Sequence, residues 1–309
     1  MKRNIIIDCD PGVDDCLALI IASKIKEINI VGICTVSGNL SIDITTKNAL
    51  DVVSLIKKEY KVYQGSVKPL IREALYAKQQ HGSNGLMGEV LQTSDQKTEK
   101  ISASDFIYQK AKELKGNVEI LAIGPLTNIA QTIIRYPEIE SLIKCITIMG
   151  GSILSGNVTK NAEFNIYCDP HAAKIVFDSS IRKNLVPLDV THKAYINDEE
   201  IIELSLIDSK TVQLCCRLMK HTKMWSIKHG LNSAVLHDVT ALIYAYKPEL
   251  YTTNEAWVTI ETQSELTMGK TIIDFDTKNN NKKNCRIVLD VDRKEYFLII
   301  KKLLKQFEK

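Results

Sequence analysis

The 309-residue sequence has no apolar run approaching the roughly 18 residues that a bilayer-spanning helix needs. Aromatic residues make up only 6 %, and 40 basic against 37 acidic residues leave a net charge of +3. A nucleic-acid binder would need a basic stripe or a stacking platform, so neither nucleic acid nor a membrane surface is expected as a partner. The eight cysteines form no CxxC pair. The N-terminal apolar run Ile5 to Ile7 stops at Asp8, too short for a signal-peptide core. Reduced, mostly buried thiols in the cytoplasm are therefore expected. No Gly-Lys-Ser/Thr phosphate loop is present, and Gly150-Gly151-Ser152 through Asn157 lacks GxGxxG spacing. There is no Pro/Ser-rich linker and no internal repeat, so one domain over residues 1–309 is expected.

What is present is an alternation. Apolar β-branched runs at Asn4 to Ile7, Ile28 to Thr35, Val118 to Ile123, Ile146 to Met149 and Leu185 to Leu188 read as buried strands. Helical spacing recurs over Asp14 to Lys24, Ile42 to Lys57, Ala103 to Leu114, Thr127 to Ile134 and Pro170 to Phe177. This order predicts an α/β fold with a mostly parallel central sheet flanked by helices. Ligands in such folds bind beyond the carboxyl ends of the strands. After about residue 195 the pattern changes to additional helices, Asp198 to Leu206, Thr211 to Lys228 and Val239 to Tyr246. Strands at Ala256 to Thr262, Thr271 to Phe275 and Arg286 to Val291 follow, then a helix over Lys294 to Phe307. The basic stretch Lys278 to Lys283 is expected to be a solvated turn.

The most informative segment is Asp8-Cys9-Asp10-Pro11-Gly12-Val13-Asp14-Asp15, four carboxylates in eight positions after the first strand. Pro11-Gly12 forces a tight turn, so the carboxylates can converge, and their repulsion calls for a counter-charge. An all-oxygen ligand set suits a hard cation, Ca²⁺ or Mg²⁺. Asp-x-Asp after a strand also suits an aspartyl-phosphate phosphatase with Asp8 as nucleophile and Asp10 as acid. That class would continue with Gly-Thr and a later metal motif, and the sequence has neither.

Other predicted strand ends carry Ser37-Gly38-Asn39, Gly124-Pro125-Leu126-Thr127-Asn128, Met149-Gly150-Gly151, Glu163-Phe164-Asn165 with Asp169-Pro170, and His237-Asp238. With the acidic turn, these motifs resemble the inosine-uridine nucleoside hydrolase family from Ile5 to at least Asp276. The resemblance implies a hydrolase that cleaves the N-glycosidic bond of ribonucleosides in nucleoside salvage. It also implies one Ca²⁺ per subunit and a homodimer or homotetramer. A non-catalytic nucleoside-binding protein is the alternative from a different class.

The resemblance implies that Asp10, Asp15, the carbonyl of Ile123 and Asp238 hold Ca²⁺, with Asp10 also the general base. It sets Asp14 and Asn39 at the ribose 2′-hydroxyl, Asp238 at the 3′-hydroxyl, and Asn157, Glu163 and Asn165 toward the 5′ side. Met149 is expected beneath the sugar, His237 as proton donor to the base, and His81 in the base pocket. Asp8 is expected to hold the turn. Trp225 and His221 fall on a helix where relatives often carry tyrosines near the base, which makes Trp225 the stacking candidate and leaves base preference open.

Overall fold

The computed structural model describes residues 2–276 and 282–308. Among these residues the strands are β1 (Arg3–Cys9), β2 (Ile28–Thr35), β3 (Val62–Gln64), β4 (Glu119–Ala122), β5 (Cys145–Met149), β6 (Lys183–Val186), β7 (Tyr195–Ile196), β8 (Ala234–Val235), β9 (Tyr251–Ile260), β10 (Thr271–Asp274) and β11 (Cys285–Val291). Nine of them form one sheet in the order β10-β9-β11-β6-β5-β4-β1-β2-β3, and β7 pairs with β8 apart from it. From β3 across to β11 every pairing is parallel. The edge formed by β9 and β10 is antiparallel. The fold is therefore α/β, with a mostly parallel sheet and helices on both faces.

Strand β1 illustrates why the sheet is covered twice. Ile5 and Ile7 face one core with the helices Val13–Ala22 and His237–Tyr246. Ile6 points the other way, into a core shared with Phe106, Ile129 and Phe177. Side chains alternate along a strand, so an unbroken Ile-Ile-Ile run is stable only where both faces are apolar. Each such side chain contributes about 1.5 to 3 kcal/mol by leaving water.

The chain order places the site. From the central β1 the chain runs outward through β2 and β3, then returns to the other side of β1 for β4, β5 and β6. The carboxyl ends of β1 and β4 therefore diverge at a topological switch point, where open α/β sheets form a crevice.

Most expected elements form within a few residues of their predicted bounds. The expected strand Leu185 to Leu188 instead ends at Val186, because Pro187 has no N–H to donate to a ladder and leads into the short helix Leu188–Thr191. Strand β9 begins at Tyr251 rather than Ala256, since the polar residues Thr252 to Glu255 pair with β11. Strands β3, β7 and β8 are two or three residues long, too short to leave a periodicity. The turn expected at Lys278 to Lys283 lies outside the described residues except for Lys282 and Lys283. All eight cysteines are free, seven of them buried. Among the described residues no helix is long and apolar enough to cross a membrane.

Asn128, on the helix Thr127–Arg135 after β4, ties the strand ends together. Its amide donates to Asp8 at 3.1 Å and to the carbonyl of Thr35 at 3.0 Å, and its oxygen accepts from the backbone of Ser66 at 2.8 Å. Asn128→Leu strands these buried partners, and we expect a loss of roughly 3 kcal/mol in denaturant unfolding with an unchanged m-value. Stability equal to wild type would contradict this role for Asn128.

Candidate active site

The acidic turn after β1 folds back on itself. Asp15, in the first turn of the helix Val13–Ala22, accepts hydrogen bonds from the backbone of Asp10 at 3.0 Å and of Gly12 at 3.1 Å. The loop after β2 closes over it. Asn39 donates from its backbone to Asp10 at 2.6 Å and from its side chain to the carboxylate of Asp15 at 3.1 Å. Gly38 allows that approach, because a Cβ there would lie 2.1 Å from Oδ2 of Asp10.

Asp14 accepts from the backbone N–H of Asp238 at 3.0 Å, which docks the start of the helix His237–Tyr246 onto the turn across 224 residues of sequence. Asp10, Asp14, Asp15 and Asp238 are thus buried together, and none of the four is in an ion pair among the described residues. Burial is the main cause that raises all four pKa values. The charge of Asp15 adds to it at Asp10, Asp14 and Asp238. Asp14 is pushed up to about 8. Asp15 is also raised, against the opposing pull of its backbone hydrogen bonds. The neighbouring Asp15 carboxyl raises Asp10 and Asp238 further, so in the absence of a counter-ion the cluster favours bound protons.

On the far side, Glu163 caps the helix Phe164–Cys168, accepting from the backbone of Asn165 at 2.9 Å, Ile166 at 3.1 Å and Gly151 at 3.0 Å. Burial nonetheless lifts its carboxyl to about 7. Asn165 donates to the carbonyls of Ile123 at 3.1 Å and Met149 at 3.2 Å, linking the ends of β4 and β5. Asn157 accepts from the backbone of Phe164 at 2.9 Å. Two imidazoles complete the wall. Burial holds His81 down at about 4, and burial followed by the neighbouring His192 and His81 holds His237 at about 3.

A cleft opens between these groups. Its polar side consists of Asp14, Asn39, Asp238, Asn157, Glu163 and Asn165, and Ile123, Met149, His81 and His237 also line it. Asp10 and Asp15 are not on its wall but lie buried beneath it. Trp225 is not on it either. That side chain sits in the last turn of the helix Lys210–Lys228, with its ring 4.3 Å from that of His229 one turn further on. His221 turns instead toward Glu89, 3.6 Å away. Gln80 and Phe164 line the cleft without having been singled out in the sequence. Each stands beside a residue that was, His81 and Glu163. Asp8 is fully buried and hydrogen-bonded to Asn128, which denies it the access a phosphorylated nucleophile requires.

A sequence model of the family described as inosine-uridine preferring nucleoside hydrolase matches residues 5–298. The chain belongs to that family. It is 36 % identical over 312 residues to the pyrimidine-specific ribonucleoside hydrolase RihA of Shewanella woodyi, covering 100 % of both chains. It is 38 % identical to the protein of the same name from Salmonella schwarzengrund, covering 99 % of both. Among solved structures it resembles a plant nucleoside hydrolase, the PpNRh1 enzyme, with TM-score 0.93, 28 % identity and 99 % of each chain covered. The purine-preferring ribonucleoside hydrolase from Gardnerella vaginalis gives 0.92, 29 % and 98 % of each chain. As a family member the chain is a hydrolase acting on N-glycosyl bonds, with ribonucleosides as its substrate class.

The donor chemistry fits a hard cation. Among the described residues, Oδ1 of Asp10 and of Asp14 are buried without a hydrogen-bond partner and no positive side chain pairs with the cluster. Among the described residues no three His, Cys, Asp or Glu side chains are arranged to hold a metal unaided. A cation there would therefore also need a neutral oxygen such as the Ile123 carbonyl.

The raised carboxyls make a prediction for the chelator-treated protein. A carboxyl whose folded-state pKa exceeds its unfolded value binds more protons when folded, so stability is lost as pH rises from about 4 through about 8. The slope is about 1.4 kcal/mol per pH unit for each carboxyl titrating. Denaturant midpoints should fall between pH 5 and pH 8, and added divalent cation should recover them at pH 8. Equal midpoints at both pH values would contradict the cluster as described.

Proposed function

We propose that residues 1–309 form one domain that hydrolyses pyrimidine ribonucleosides to free base and ribose with the help of Ca²⁺, in cytoplasmic nucleoside salvage. The observation that carries this reading is the convergence of four carboxyls, Asp14 and Asp238 on one cleft and Asp10 and Asp15 buried beside it, with Asn39, Glu163 and Asn165. A sheet continuous from β3 to β10 supports one domain. The pyrimidine-specific names of relatives 36 % and 38 % identical over their full length support the base preference. The family resemblance supports Ca²⁺ and a homodimer or homotetramer.

Asp10, Asp15, Asp238 and the Ile123 carbonyl would hold the cation. When bound, it supplies positive charge that lowers the pKa of an adjacent water. Cleaving the bond from C1′ to the base passes through an oxocarbenium-like sugar, which a negatively charged site stabilises. Asp10 accepts the proton of the attacking water. Asp14 and Asn39 bind the 2′-hydroxyl and Asp238 the 3′-hydroxyl, while Asn157, Glu163 and Asn165 take the 5′ side. Met149 packs under the ring. His237 and His81 contact the base, and Trp225, away from the cleft wall, has no part in this arrangement.

Free-ribose release from uridine, cytidine, inosine, adenosine and 2′-deoxyuridine tests the proposal. Uridine and cytidine should turn over fastest. The 2′-deoxy substrate should be at least about 100-fold slower, because its absence leaves buried polar partners unpaired. Asp10→Asn should lower turnover by about 100-fold or more. No ribose from any nucleoside in the presence of Ca²⁺ would shift the weight to a binding protein without turnover.

A further inference from the structure

Both imidazoles that line the cleft have their Nδ1 atom engaged by another part of the protein. The backbone N–H of Val13 lies 3.0 Å from Nδ1 of His81. A backbone N–H can only donate, so Nδ1 of His81 is the bare nitrogen and its proton is on Nε2. The close approach depends on Gly12, where a Cβ would stand 2.5 Å from that Nδ1.

His237 is held by Thr191, a fully buried residue at the end of the short helix Leu188–Thr191. Thr191 Oγ1 is 2.7 Å from Nδ1 of His237. A hydroxyl can donate or accept, and the surroundings decide which. The other acceptor near Thr191 is the Leu188 carbonyl, 3.2 Å away and already taking the N–H of His192 at 2.9 Å. Hydroxyl donors sit at about 2.7 to 2.8 Å, whereas N–H donors sit at about 2.9 to 3.0 Å. Of the hydroxyl's two acceptors, Nδ1 of His237 is the nearer, and the short contact suits the threonine O–H donating to the ring. Neither Nε2 has a protein hydrogen-bond partner among the described residues, and both rings border the cleft.

We propose that Thr191 is a positioning residue for glycosidic cleavage: its hydroxyl donates to Nδ1 of His237 and fixes the tautomer whose Nε2–H, beside that of His81, faces the departing base. The proposal rests on the riboside-hydrolase reading above. As the C1′–N bond breaks, its electron pair passes to the base nitrogen, and the water oxygen forms the new bond to C1′. The water's proton goes to Asp10, and the released base anion takes up one proton to become the free base. Negative charge on the leaving base spreads onto its ring acceptors, pyrimidine O2 among them. Two fixed N–H donors stabilise that charge as an oxyanion hole does, without giving up a proton. Thr191 touches neither water nor base and acts through His237.

Wild type, Thr191→Val and Thr191→Ser, each loaded with Ca²⁺, are compared on uridine and on p-nitrophenyl riboside, whose phenolate leaves without assistance. The valine variant should lose about 10- to 100-fold in kcat on uridine, with KM and the kcat on p-nitrophenyl riboside within about 3-fold of wild type. The serine variant should regain uridine turnover. Nitrogen NMR of ¹⁵N-histidine-labelled wild type should give the Nε2–H tautomer at His237. Equal loss on both substrates, undiminished uridine turnover in Thr191→Val, no rescue by serine, or an Nδ1–H signal at His237 would overturn the assignment. Should the valine variant not fold, the serine variant and the wild-type spectrum decide. The spectrum needs no turnover, so a wild type that cleaves no riboside counts against the hydrolase reading, and an Nδ1–H signal counts against Thr191 alone.

Discussion

Four carboxyl groups buried together, with no lysine or arginine paired to them among the described residues, are the constraint around which the molecule is arranged. Water would solvate them well, and the sheet removes them from it. Backbone N–H groups from Asp10, Gly12, Asn39 and Asp238 offset part of the penalty. Burial still raises the pKa of all four, and Oδ1 of Asp10 and of Asp14 has no hydrogen-bond partner among the described residues. A site left in this condition is poised for an external charge, which a packed core would not need.

The topology explains how the groups come together. Asp10 leaves β1, Asn39 follows β2, Ile123 follows β4 and Met149 ends β5, so neighbouring parallel strands deliver their tips to one crevice. Parallel strands also point their carboxyl ends the same way, which no antiparallel meander does. The helix that brings Asp238 packs on the helix that begins at Val13, and the Asp14 hydrogen bond sets its register there. Glu163 and Asn165 then brace the remaining strand ends through Gly151, Ile123 and Met149. Rigid elements thus carry the polar groups that line the cleft, as a precise binding site requires.

Much of this is legible in the sequence because the chemistry is local. The acidic turn compresses into eight residues, and its Pro-Gly pair announces the reversal. The strands with Ile and Val runs are equally plain, since burial on both faces demands them. Asp238 and Asn165 are different. Nothing local marks Asp238 as the partner of a turn 224 residues away, or Asn165 as the partner of the Ile123 carbonyl 42 residues away, and only the family resemblance associates them with the site. Thr191 carries no signal at all, because its importance lies in a contact with His237 that the chain path creates. Trp225 shows the converse. An aromatic on a suggestive helix is drawn to His229, one turn on, rather than to the cleft.

Calorimetric titration of Ca²⁺ into chelator-treated protein at pH 7, repeated in buffers of different ionisation enthalpy, tests the central claim most directly. Burial raises the pKa of Asp10, Asp15 and Asp238, so a cation that takes up their charge should displace protons. The account predicts one site per chain, with proton release on binding. Absence of binding, or binding with no protons released, would contradict it.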